Sequence, residues 1–183
     1  YIERLALVLG ALMTSLTILS ASADEREIIG IPISETDESS EARLLSAFFG
    51  LDNKLPFRSN LLCLGASGQD GMPVVFSHTL NSETLNESDF EVETRSGEFY
   101  SPICVTLRPA DDEGENRTVL LIGEFGNAET DPPIRVSIVG DLHSDSEDLK
   151  PLNFKGLYTD VIPLDSGPAL ILAERVPSCL LYT

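Results

Sequence analysis

The sequence predicts an all-β fold: an antiparallel β-sandwich carrying a short N-terminal helix and preceded by a signal peptide. Three observations lead there. From Asn60 onward the helical period disappears, and apolar residues recur in short continuous or alternating runs. Gly, Pro, Asn and Asp punctuate those runs at close intervals. Hydrophobic residues make up 42% of the 183 and charged residues 23%, enough apolar surface for a packed core and unlike an acidic disordered tail. One domain with appendages fits this length.

The strands are expected over 61–64, 73–77, 90–94, 99–107, 118–125, 134–140, 154–162 and 169–175. Ile134, Val136 and Ile138 alternate with polar neighbours, as do Phe90 and Val92, which is the pattern of a strand with one buried face. Residues 119–122 and 169–173 are continuously apolar and are expected to lie centrally, covered on both faces. Breaks fall at 67–71, 111–116, 126–133 and 165–168. Before this region, Leu44, Leu45, Phe48 and Phe49 recur at helical spacing, with Ser39 and Ser40 as caps and Gly50 beyond. They predict a short amphipathic helix plugging one end. Residues 24–40 suit an extended lead-in, with an edge strand over 27–33. The domain plan is therefore 1–23 signal peptide, 24–58 lead-in with helix, 59–178 sandwich and 179–183 tail.

Residues 1–23 stand apart. Arg4 is followed by an apolar run of about 15 residues, short of the ~20 that span a bilayer, and then by the small residues Ala21 and Ala23 of an A-x-A cleavage site. Cleavage after Ala23 is expected, with an uncleaved anchor as the alternative. The mature protein is then secreted or periplasmic and holds no membrane segment. Its charge narrows the partners. Thirty acids against twelve bases give −18, all of it from Asp24 onward because Glu3 and Arg4 cancel. Such a surface repels phosphate backbones and anionic lipid headgroups, so neither nucleic acid nor, after signal cleavage, a membrane is expected as a partner.

Export makes the cysteines readable. An oxidising compartment allows Cys63 and Cys104, both in apolar runs, to pair and close about 41 residues, while Cys179 is left over; buried unpaired thiols are the alternative. No C-x-x-C pair exists for zinc. Hard cations have better candidates in two acidic loops, one with Asp111, Asp112, Glu113 and Glu115, the other with Asp141, His143, Asp145, Glu147 and Asp148. Calcium is the cation such oxygen-rich loops favour, although neither has EF-hand spacing; solvated loops are the alternative.

Catalysis is thinly provided for. His78 and His143 are the only bases near neutrality, and residues 65–68 lack the spacing of a nucleophile elbow. No cofactor is implied. Trp is absent, and Tyr100 and Tyr158 are the mid-chain phenols that remain for stacking on a glycan. Asn86 and Asn116 open glycosylation sequons, relevant where the host modifies secreted proteins.

The stretch Pro73-Val74-Val75-Phe76-Ser77-His78-Thr79-Leu80, then Asp89-Phe90-Glu91-Val92 and Gly97, resembles the opening of bacterial Ig-like domains of surface proteins. The similarity extends loosely over 73–142 through Val105-Thr106-Leu107, residues 118–122 and Ile134-Arg135-Val136. It implies an Ig-like sandwich with adhesive, spacing or carbohydrate-associated roles and no catalysis. The region after Asn153, the helix before Gly50 and the two cysteines depart from that pattern. The expected function is thus a non-catalytic module presenting loops or edge strands to an extracellular protein or glycan. The alternative is a metal-dependent module built on the His143 loop.

Overall fold

Side chains that alternate along a strand must find opposite environments, and in the computed structural model they do. The structure describes residues 41–109, 115–145, 151–167 and 169–171, all within one compact unit, Asp37–Thr183. The strands are β1 (Leu44–Phe48), β2 (Asp70–Phe76), β3 (Phe90–Thr94), β4 (Phe99–Tyr100), β5 (Cys104–Thr106), β6 (Thr118–Gly123), β7 (Pro133–Ile138) and β8 (Tyr158–Ile162). They form one sheet in the order β4-β3-β7-β8-β1-β2-β6-β5. Every pairing is antiparallel except β1 with β8, where Ala47 faces Val161 and Phe48 faces Ile162 in parallel. The sheet is mixed, not purely antiparallel.

That parallel pair joins two four-stranded halves whose inner faces share one core. Met72, Val74, Phe76, Val119 and Leu121 come from one half and Phe90, Val92, Val136 and Ile138 from the other. The sheet therefore curls around its own apolar side. Phe76 and Phe154 meet edge to face at 5.0 Å within this core, a favourable aromatic geometry.

The outer face differs along its length. Over β3, β7 and β8 it is polar: Arg135 reaches Glu93 at 3.4 Å and Asp160 at 3.7 Å and lies 4.9 Å from the centroid of the Tyr158 ring. Over β6 and β5 it is apolar and covered. Leu55, Cys63 and Ala66, from the long β1–β2 connection, pack on Ile122, Leu120 and Cys104. Residues 119–122 are thus covered on both faces, as their unbroken apolar run predicts.

Several elements differ from the sequence reading. The expected helix at 43–49 is strand β1, and no helical segment among the described residues exceeds the five of the 3-10 turn Phe57–Leu61. A register shift between Leu44 and Ser46 explains the false helical spacing. By adding a residue, it lets Leu44 and then Ala47 and Phe49 meet the core, a spacing of three and then two that breaks the strict alternation of a strand. Residues 61–64 form a turn instead of a strand: Leu62 and Cys63 both donate their amides to Ser59 O, and Gly65 follows at φ +89°. The 99–107 run breaks into β4 and β5 on opposite edges of the sheet, with Pro102 between them. Ile134 is exposed although its alternation suggests burial. The shift that pairs Glu93 with Arg135 but Thr94 with Pro133 leaves it as the extra residue of a bulge. β8 begins at Tyr158, not at 154. Residues 169–171 are exposed and outside any strand, while the rest of the expected 169–175 strand and the expected edge strand at 27–33 lie outside the described residues. So do the expected signal peptide and Cys179.

Candidate functional site

Three connections leave the same end of the sheet: β2–β3 (77–89), β5–β6 (107–117) and β7–β8 (139–157). Buried apolar residues anchor them. Leu80, Leu142 and Phe154 sit in the core, so the polar residues beside them are turned outward. Backbone bonds then stitch the loops together. The Leu80 amide donates to Asn116 O at 2.7 Å, the Asn81 amide to His143 O at 3.0 Å and the Asp145 amide to Thr79 O at 2.8 Å. Arg117 Nη1 donates to Ser77 O at 2.8 Å, and the His143 amide to Thr84 Oγ1 at 3.2 Å. The β2–β3 connection is itself stiffened by two short 3-10 turns. Asn81 caps Ser82–Thr84, and Asn86 with Asp89 forms a capping box on Glu87–Asp89.

The stems of both acidic loops consequently meet at Thr79 and Leu80. Their tips lie outside the described residues: Asp111, Asp112 and Glu113 in one, Glu147 and Asp148 in the other. Of the remaining candidates, Asp141 and Asp145 are exposed, His143 is half-buried and Glu115 is exposed at the foot of the first loop. Asp141 already has partners, accepting from Asn153 Nδ2 at 3.3 Å and Lys155 Nζ at 3.2 Å; those bonds and the lysine charge hold its carboxyl below the ordinary carboxylate range. Among the described residues no group of three or more His, Cys, Asp or Glu is placed to hold a metal.

A hollow of about 310 Å³ opens at this end, lined by Ser82, Leu85, Thr106, Leu107, Arg108 and Asn116. Asn116 Oδ1 is buried there without a hydrogen-bond partner among the described residues. The two sequons therefore differ: Asn86 is exposed, with Oδ1 accepting from Ser88 N and Oγ, whereas Asn116 is half-buried. Asp89 is buried, and burial raises its pKa against the opposing bond from the Asn86 amide. Gly140 packs so closely on it that a Cβ would collide with the Asp89 carboxylate.

His78 makes one contact of chemical interest, with its Nδ1 2.8 Å from Ser77 Oγ. That hydroxyl also accepts from the Arg43 amide at 2.9 Å, so it ties the entry to β1 against the exit from β2. Among the described residues no carboxylate is bonded to the His78 ring to complete a triad. Tyr158 is exposed and Tyr100 packs against the core.

At the opposite end lie two groups that the sequence does not single out, one in the expected break at 67–71 and one divided between the lead-in and the expected strand at 61–64. Asp70 is fully buried, accepting from the Asn53 amide through Oδ1 and the Phe125 amide through Oδ2, both at 2.7 Å. Burial raises its pKa more than those bonds lower it, and Asp52 adds to the rise. Glu124 is raised too, through burial and then through Asp70 and Asp52. The second group is Phe57, Leu61 and Leu64, apolar residues turned outward. The Cys63–Cys104 disulfide, with Cα atoms 6.2 Å apart, pins the segment that carries them.

Compared with protein-family models, curated proteins and solved structures, the chain matches none.

Proposed function

We propose that the chain is an exported, non-catalytic Ig-like module that binds an extracellular protein or glycan through the joined loops 77–89, 107–117 and 139–157. Connectivity supports the Ig-like assignment. Lettered in chain order, with β4 as C′, the strands run D-E-B-A and then G-F-C-C′ across the sheet, the partnering of an immunoglobulin-type sandwich. In that arrangement the three connections are the B–C, D–E and F–G loops. The disulfide departs from the usual B–F bridge, since Cys63 precedes β2 and Cys104 opens β5. It is compatible with an oxidising compartment, as is the signal-like run at the start of the chain. No helix among the described residues is long and apolar enough to cross a membrane.

The observation that carries the binding assignment is the bonding of three separate connections through Leu80, Asn81 and Asp145. Loops on a rigid sheet are where recognition is built without disturbing the core. The test replaces the exposed acids Glu83, Glu87 and Asp145 with Lys and measures retention of the labelled protein on the surface of the producing cells and on immobilised glycans. Retention should fall about tenfold or more while thermal unfolding is preserved. Retention equal to that of the parent would overturn this assignment.

A further inference from the structure

We propose a second contact surface at the other end of the sheet: the β1–β2 connection seats on a zwitterionic phospholipid surface, inserting Phe57, Leu61 and Leu64 at the headgroup boundary. This connection has two apolar sides. Leu55, Cys63 and Ala66 face the sheet, whereas Phe57 is 81% exposed, Leu61 85% and Leu64 95%. Such exposure of large apolar side chains on one rigid turn calls for a partner. The turn is held in place by the disulfide and by bonds from Leu62 and Cys63 to Ser59 O, from Ser67 N to Asn60 Oδ1 and from Gly68 N to Leu55 O.

Charge identifies the occupant. In a chain of net charge −18, residues 53–69 contain Lys54 and Arg58 and no acid. Both cations are exposed and neither forms an ion pair among the described residues. The nearest acid in sequence, Asp52, is half-buried and already engaged, accepting from the Ala128 amide and from Asn53 Nδ2. Leu and Phe at the tip with Lys and Arg beside them match an apolar layer bounded by phosphates, and long cationic side chains reach such phosphates while their stems stay in the apolar layer. A protruding turn makes no demand on the shape of a lipid surface, whereas a protein partner would need a matching pocket. The body's −18 charge disfavours strongly anionic membranes, which is why a zwitterionic surface is the occupant. The contact is a surface one and adds no spanning segment. It would direct the loops 77–89, 107–117 and 139–157 away from the lipid, because β2 runs from one end to the other.

The full chain has no Trp, so Phe57→Trp introduces the sole indole. A local reporter is needed because the apolar run near the N-terminus partitions into lipid by itself. With phosphatidylcholine vesicles the indole emission should shift to the blue and be quenched by lipids brominated near the headgroup. Tyr158→Trp, on the polar part of the outer face, should show neither change. Adding Leu61→Ser and Leu64→Ser to the Phe57→Trp chain should weaken the response by about tenfold or more per leucine, with unchanged thermal unfolding. An indole that stays aqueous while the chain sediments with vesicles would overturn the proposal. So would a chain that ignores vesicles, which would leave the patch to an apolar pocket on a protein. Neither result bears on the charge-reversal test at the other end.

Discussion

The two ends of the sheet are organised by different physics. At the loop end, three connections are positioned by buried Leu80, Leu142 and Phe154 and by backbone bonds between neighbours, and their exposed charged residues are mainly acidic. At the other end, the long β1–β2 connection has only a small apolar footing of its own, around Leu55, Cys63 and Ala66. Its position depends on a covalent bridge to β5 and on the buried Asp70 carboxylate. A loop that turns Phe57, Leu61 and Leu64 outward has spent its apolar residues on the exterior, so something other than the hydrophobic effect must hold it. The contrast predicts that the two ends fail separately.

The largest expected effect comes from removing the bridge. Replacing Cys63 and Cys104 with Ser releases a loop of 41 residues, which in the chain-entropy account costs about 4 kcal/mol. Thermal unfolding should drop markedly, and the loss should be local at first: hydrogen exchange should accelerate at 51–69 before it does at 77–89. Uniform acceleration would show that the ends are not independent. Asp70→Ala comes next. It leaves the Asn53 and Phe125 amides without acceptors, Phe125 being fully buried, and should cost about 2–4 kcal/mol in urea unfolding. Asp70→Asn offers one carbonyl where two acceptors are needed and should fall between parent and Ala. An Asp70→Ala protein as stable as the parent would remove the carboxylate from this account.

How much of this was legible in the sequence depends on whether the signal was local. β2, β3 and β6 are visible because Val74/Phe76, Phe90/Val92 and the run at 119–122 report burial directly. β1 and Ile134 misread because a bulge costs one residue of period, and nothing in the side chains announces it. The cysteine pair was readable from export and apolar context, yet Cys63 proved to lie in a turn. At the candidate site, the sequence supplied the acidic loops but not the meeting of their stems at Leu80, which depends on pairings far apart in the chain. Asp70 looked like a turn residue because Gly68 and Gly71 flank it, and the amides that justify its burial are at positions 53 and 125. Phe57, Leu61 and Leu64 carried a sign that could have been used: cations and no acid in an otherwise acidic chain.

The smallest effect is a pH dependence with two windows, and its sign follows from the carboxylates. Asp70, Asp89 and Glu124 have folded pKa values raised above ordinary values of 3.8, 3.8 and 4.5, chiefly by burial. The folded state therefore takes up their protons first, and stability rises as pH falls from neutrality through the folded values, the gain being complete below the ordinary ones. Relief of repulsion among thirty acids acts in the same direction. Asp131 and Asp141 are lowered, by the Ser96 hydroxyl and by Asn153 with Lys155 respectively. Their contribution is present above 3.8 and is lost only as pH falls further, through their depressed folded values. The melting temperature should thus increase by a few degrees between pH 7 and the ordinary carboxylate range and decline below it. In Asp70→Asn the rise should be smaller while the decline at lower pH remains, since Asp131 and Asp141 are untouched. A melting temperature that falls steadily from pH 7 would mean that the buried carboxylates at both ends are held as stabilised anions, and the contrast between apolar and electrostatic anchoring would lose its basis.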